Sequence, residues 1–151
     1  MTLTTKETEL LKDLKSQEQV CIEKYTRYAE CACDGGLKNL FNDICRSERS
    51  HLQTINDILS GKEPDLNTSP SAENSVVCTC SPCCCDTKDG DAYLCRDALS
   101  MEKHVSSLYD TSVFEFSSPK LRNTLAHIQK EEQNHGEQLY SYMAANGMYE
   151  A

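Results

Sequence analysis

The sequence predicts an all-α protein: a four-helix bundle made of two antiparallel hairpins joined by a long, Cys-rich crossover. Three observations lead there. Apolar residues recur at alternating spacings of three and four through four long segments. Gly and Pro fall mostly between those segments, and the two halves of the chain repeat one pattern of ionisable residues. With 151 residues, 38% hydrophobic and 26% charged, the chain has the length and composition of a single domain, residues 1–151, around one core.

The first helix is expected over about residues 5–33. Thr4-Thr5-Lys6-Glu7 has the spacing of a capping box, and the chain then runs without Gly or Pro to Asp34-Gly35-Gly36, read as a tight turn. The second helix, about 37–60, keeps the same periodicity and stops at Gly61 and Pro64. Residues 61–90 hold three of the four prolines, many Ser, Thr, Asn and Asp, and five cysteines within eight residues, so this stretch reads as the crossover and not as helix. The third helix is expected over about 91–116. Ser117-Ser118-Pro119 then offers a cap with Pro at the first helical position, and the fourth helix, 119–146, ends at Asn146-Gly147.

The apolar stripes carry ionisable residues at matching heights. Helix 1 reads Leu11, Leu14, Glu18, Cys21, Tyr25, Tyr28, Ala32, and helix 2 reads Leu37, Phe41, Ile44, Glu48, His51, Ile55, Ile58. Helix 3 reads Cys95, Ala98, Glu102, Val105, Tyr109, Ser112, Phe116, and helix 4 reads Leu121, Leu125, Ile128, Glu132, His135, Leu139, Tyr142. A carboxylate facing a core costs several kcal/mol unless it is paired, protonated or bound to a cation, and four at one level repel one another. Buried cations resolve that conflict.

Glu18 and Glu102 are each followed 30 residues on by a second Glu, and each second Glu opens Glu-x-x-His: Glu48-Arg-Ser-His51 and Glu132-Gln-Asn-His135. A spacing of three puts carboxylate and imidazole on one helical face. The resulting set of four Glu and two His matches the pattern of di-iron and di-manganese carboxylate bundles. Glu18 and Glu102 are expected as terminal ligands, Glu48 and Glu132 as bridges, and His51 and His135 as one imidazole per metal. Carboxylate-rich ligation favours two iron ions, then manganese, with zinc able to substitute. Tyr25 and Tyr109, each seven residues after the first Glu, either fill the core or hydrogen-bond to a ligand or a peroxide. His104 and His127 lie off the stripes and read as surface residues, while Glu23, Glu30, Glu115, Glu131 and Glu137 read as solvated or loosely paired, with an extra metal ligand among them as the alternative.

Lys and Arg total 15 against 24 Asp and Glu, a formal net charge of -9, which argues against nucleic acid and anionic membrane as partners. No run approaches the ~18 apolar residues of a membrane span. The N-terminal Met1–Glu9 stretch lacks the order of a signal peptide, so synthesis without Sec-type export is expected.

Helix pairs with Glu and then Glu-x-x-His, repeated across a long crossover, resemble the ferritin-like superfamily and its rubrerythrin-type members over about residues 5–145. That resemblance implies ferrous-iron oxidation or peroxide reduction at the metal pair. The sequence holds no pair of separated Cys-x-x-Cys knuckles of the rubredoxin kind, so the rubrerythrin likeness rests on the bundle alone. A closer resemblance lies in Glu102-Lys-His-Val-Ser-Ser-Leu-Tyr109, Phe114-Glu-Phe116, Leu125 through His135, and the ending Tyr142-Met-Ala-Ala-Asn-Gly-Met-Tyr149. These resemble the spore coat F family, which implies a structural protein made in the mother-cell cytoplasm and deposited in the spore coat, in a homo-oligomer or higher assembly with other coat proteins.

The chain has ten cysteines. Cys78, Cys80, Cys83, Cys84 and Cys85 cannot all pair with one another, because near-neighbour disulfides strain the S–S geometry, and Cys31, Cys33 and Cys45 are too few to satisfy them. Intermolecular disulfides in an oxidising shell are the leading expectation, with thiolate binding of Cu(I) or Zn(II), intramolecular pairing and free thiols as the alternatives. Cys21 and Cys95 lie on the apolar stripes and read as small buried hydrophobes.

Overall fold

The computed structural model describes residues 2–64 and 88–149. Four helices make up the fold: α1 (Thr5–Cys31), α2 (Gly35–Leu59), α3 (Lys88–Glu115) and α4 (Pro119–Ala145). Among the described residues there is no strand. The Cys78–Cys85 cluster lies outside the described residues.

Local sequence sets the helix ends. The capping box at the start of α1 forms as expected: Thr4 N–H donates to Glu7 Oε2 at 2.7 Å and Glu7 N–H to Thr4 Oγ1 at 3.2 Å. The α1–α2 turn sits two residues earlier than the sequence reading placed it. Asp34 caps α2, its carboxylate accepting from Leu37 N–H at 2.8 Å, so Gly35 and Gly36 belong to the first helical turn. Ser118 caps α4 ahead of Pro119. α2 and α4 end alike: Gly61 (φ +85) and Gly147 (φ +65) take left-handed conformations. In each case the next residue donates five positions back, Lys62 N–H to Asp57 O at 2.9 Å and Met148 N–H to Met143 O at 2.8 Å, which satisfies a carbonyl the helix leaves open. α3 begins at Lys88, inside the stretch assigned to the crossover, with Asp89 and Asp91 in its first turn where the helix dipole favours acids.

α1 packs on α2 and α3 on α4 as hairpins, and the hairpins meet through α1 with α3 and α2 with α4. Both cross-hairpin pairs run antiparallel. Lys6 pairs with Glu115 while Lys24 reaches Asp97, and Glu63 pairs with Lys120 while His51 reaches Glu131. The end of α2 and the start of α3 therefore lie at opposite ends of a bundle about 40 Å long at ~1.5 Å per residue.

All the stripe residues named from the sequence are buried except Tyr142, which is partly buried against the core. Leu94, Leu99, Met101 and Met143 widen the core beyond a strict stripe, as a helix in a globular bundle requires. Two buried carboxylates pin the ends. Glu7 accepts from Ser117 N–H at 2.8 Å and Ser117 Oγ–H at 2.9 Å, tying α1 to the α3–α4 turn. At the other end Asp91 accepts from Cys33 N–H at 2.8 Å and Asp34 N–H at 2.9 Å, tying α3 to the α1–α2 turn.

Candidate metal centre

Midway along the bundle, each helix turns one carboxylate inward: Glu18 from α1, Glu48 from α2, Glu102 from α3 and Glu132 from α4, with His51 and His135 one turn beyond the second and fourth. All six are buried. They form two overlapping groups, Glu18–Glu48–His51–Glu132 and Glu48–Glu102–Glu132–His135, whose candidate ligand atoms lie within 4.8 Å of one another. Glu48 and Glu132 belong to both groups, while Glu18 with His51 and Glu102 with His135 belong to one each. The structure thus brings together the six residues that the sequence pattern singles out.

The polar atoms of these residues are aimed at common points, not at each other. His51 Nδ1 lies 3.0 Å from Glu132 Oε1 and 3.4 Å from Glu48 Oε2; His135 Nδ1 lies 3.1 Å from Glu48 Oε1 and 3.4 Å from Glu132 Oε2. None of these approaches has hydrogen-bond alignment. Among the described residues, eight buried side-chain atoms have no hydrogen-bond partner, and all eight belong to these six residues. Glu48 and Glu132 each leave both oxygens unpaired, as a carboxylate shared by two cations would, whereas Glu18 and Glu102 each leave only Oε2. Buried orphans cost about 1–3 kcal/mol each, more when charged, and native interiors seldom keep even one without reason. The donor set fits two divalent cations, whose combined charge neutralises the four carboxylates.

The remaining oxygens of the terminal pair are held by the two tyrosines. Tyr109 Oη–H donates to Glu18 Oε1 and Tyr25 Oη–H to Glu102 Oε1, each bond linking α1 to α3. Both rings are fully buried, so Tyr25 and Tyr109 fill the core and orient a ligand at once.

Burial and crowding set the protonation of the group. Glu18 is pushed well up by burial and by the Glu48 carboxylate, and Glu102 rises to about 8, chiefly through burial. Burial also opposes ionisation of Glu48, but contacts with His135 and His51 outweigh it and hold that carboxyl low. Both imidazoles, which burial alone would depress, are drawn up by the surrounding carboxylates, His135 to about 11. A site that draws up both its imidazoles and its terminal carboxyls is one that favours positive charge.

Glu131 departs from the sequence reading. It is not a loosely paired surface acid: its carboxylate, which can only accept, takes the Nε2–H of His51 at 2.9 Å and leaves Nδ1 as the nitrogen that faces the centre. Sequence offered only its position beside Glu132. Glu7, read only as part of the capping box, and Asp91, read only as the start of a helix, follow the internal repeat, each lying 11 residues before the first Glu of its half. His104 and His127 are exposed. Cys21 and Cys95 are buried, and burial raises both thiols, Cys95 to about 12, so neither ionises readily.

The bundle is similar in fold to a two-domain protein from Anabaena variabilis containing DJ-1/ThiJ/PfpI-like and ferritin-like domains, with a TM-score of 0.72 at 16% identity over 96% of this chain. The likeness spans 38% of that protein's length, and it shows the ferritin-like four-helix bundle as the fold. The second half of the sequence decides more. Residues 90–151 match the Coat F domain. The Coat F match takes in α3 almost from its start and all of α4, and with them Glu102, Tyr109, Glu132 and His135. No curated protein matches the chain. Among the described residues no helix is long and apolar enough to cross a membrane.

Proposed function

We propose that this chain is a spore coat protein whose ferritin-like bundle holds a dinuclear metal centre, with two iron ions as the first choice and manganese as the second. The Coat F match supports the location. The observation that carries the metal reading is the set of eight partnerless buried atoms, all on the six Glu and His residues. A bundle with a purely structural role gains nothing from four buried carboxylates that an apolar set would replace without loss. When bound, a pair of iron ions supplies one-electron chemistry toward oxygen or peroxide. Glu48 and Glu132 would be shared by both ions, Glu18 and Glu102 would bind one each, and the Tyr25 and Tyr109 hydroxyls keep the terminal carboxylates oriented.

In this reading the bundle assembles into a homo-oligomer or larger array with other coat proteins, cross-linked through Cys78, Cys80, Cys83, Cys84 and Cys85 once the surroundings become oxidising. A second reading, a rubrerythrin-like di-iron oxidase or peroxidase that removes iron or oxidant, is favoured by the completeness of the six-residue set. Metal analysis of the purified chain, paired with reducing and non-reducing gels, separates them. The coat reading expects about two metals per chain and a reductant-sensitive ladder that disappears when the five clustered cysteines become serine. The enzyme reading expects peroxide turnover by the iron-loaded chain whether or not a ladder forms. A chain without bound metal overturns both statements about the centre.

A further inference from the structure

The two halves of the site are related by the internal repeat, each residue of the first finding its counterpart 84 positions on: Glu18 and Glu102, Glu48 and Glu132, His51 and His135. Where the repeat breaks, the halves can differ. It breaks beside the imidazoles, where the counterpart of Glu131 is Ser47. The Glu131 carboxylate accepts from His51 Nε2–H at 2.9 Å, whereas no hydrogen bond holds Nε2 of His135 among the described residues. His135 instead lines a surface pocket of about 240 Å³ between α2 and α4, with Asp43 and Ser47 on one wall and Glu131, Asn134 and Gln138 on the other. His51 does not line it. A pocket of that volume holds several waters at ~30 Å³ each, enough for a hydrated cation to reach one imidazole and not the other.

We propose that Glu131 is a positioning residue that makes the two cation positions inequivalent: the position at His51 fills first and is retained, and the position at His135 exchanges its divalent cation with solvent through the α2–α4 pocket. This rests on the dinuclear reading given above. The physical grounds are direct. A carboxylate behind an imidazole fixes its tautomer and ring orientation and raises its basicity toward a metal, and losing such a partner weakens metal binding by about 10- to 100-fold. His51 has that partner and is shut away from solvent. His135 lacks it and borders water.

The test uses the full-length chain, stripped by chelator and titrated anaerobically with Co(II), followed by visible absorption and by the kinetics of cobalt release to excess EDTA. Wild type should bind two Co(II) in two resolved steps and release them in a fast and a slow phase. Glu131→Gln, at a side chain 38% exposed and so tolerant of change, should weaken the tighter step by about 10- to 100-fold, speed the slow phase and leave the weaker step nearly unchanged; Glu131→Asp should restore part of the difference. Asn134→Trp, which fills the pocket, should slow the fast phase alone. Two indistinguishable steps in wild type, or a Glu131→Gln chain that matches wild type or weakens both steps equally, overturns the role of Glu131. A fast phase untouched by Asn134→Trp overturns the route. Wild type that binds no cobalt, or one ion only, overturns the dinuclear reading itself and this inference with it, an outcome distinct from the others.

Discussion

Supplying the centre with a divalent cation should raise the melting temperature of this chain by a large amount, and the size follows from the site. Eight buried atoms on six residues stand without hydrogen-bond partners at the level where all four helices meet. A cation that binds only the folded chain stabilises it by about 2.7 kcal/mol when its free concentration is a hundredfold above Kd, so two positions contribute about 5 kcal/mol. For a domain of this size each kcal/mol moves Tm by about 2–4 °C, which places the expected rise at about 10–20 °C with Mn(II), or with Fe(II) under anaerobic conditions. Scanning calorimetry should show a single transition moving upward and returning on chelation, because the ligands come from every helix and no part of the bundle can melt while the centre is intact. The double variant Glu48→Gln, Glu132→Gln removes the two carboxylates both positions share and should lose nearly all of the rise. No shift in the wild-type chain would refute the reasoning. So would an undiminished shift in the double variant, since the cation would then be acting elsewhere.

Two further outcomes follow from individual side chains. Glu7 is held down to about 2, first by the Ser117 N–H and then by the Thr4 N–H; its stabilisation is complete above its unfolded value of 4.5 and is lost as pH falls from there toward 2. Glu7→Gln should therefore cost about 1–3 kcal/mol at pH 7, and urea melts should show that gap narrowing below pH 4.5 and closing toward pH 2. Tyr109→Phe leaves Glu18 Oε1 buried without its donor, so it should lower stability by about 1–3 kcal/mol and weaken metal binding by about 10- to 100-fold, measured by denaturant unfolding and by metal titration.

Much of this molecule is legible from sequence because its signals are local and doubled. The 3.6-residue stripes, the Thr4–Glu7 box, the glycines after α2 and α4 and the Pro119 start each report a short-range requirement. The two copies of Glu followed by Glu-x-x-His turn a weak motif into a strong one. What stayed hidden depends on contacts between helices. Gly35 and Gly36 read as a turn, yet Asp34 captures Leu37 N–H and winds them into α2. Glu131 read as a solvated acid, because only the α2–α4 packing brings it to His51. Glu7 and Asp91 sit in first turns, where acids are ordinary, and only the turns of the opposite hairpin reveal their partners.

Those two end contacts bear on how the proposed metal centre and the proposed assembly would share one chain. Glu7 and Asp91 are 84 positions apart, as are Cys33 and Ser117, the residues whose N–H groups they capture. The repeat thus extends from the centre to both ends of the bundle: each hairpin's first helix carries a carboxylate that holds the other hairpin's turn. Between them the Tyr25–Glu102 and Tyr109–Glu18 bonds hold α1 against α3 at mid-height. Buried hydrogen bonds such as these are worth about 0.5–1.5 kcal/mol each, and about 1.5–3 where the acceptor is charged, and they fix the spacing of the hairpins at three levels. The ligand geometry is therefore set by contacts inside the bundle. Asp91, three residues into α3, anchors the chain as it enters the bundle, so the cross-linking proposed for Cys78–Cys85 would leave the six Glu and His residues in their places.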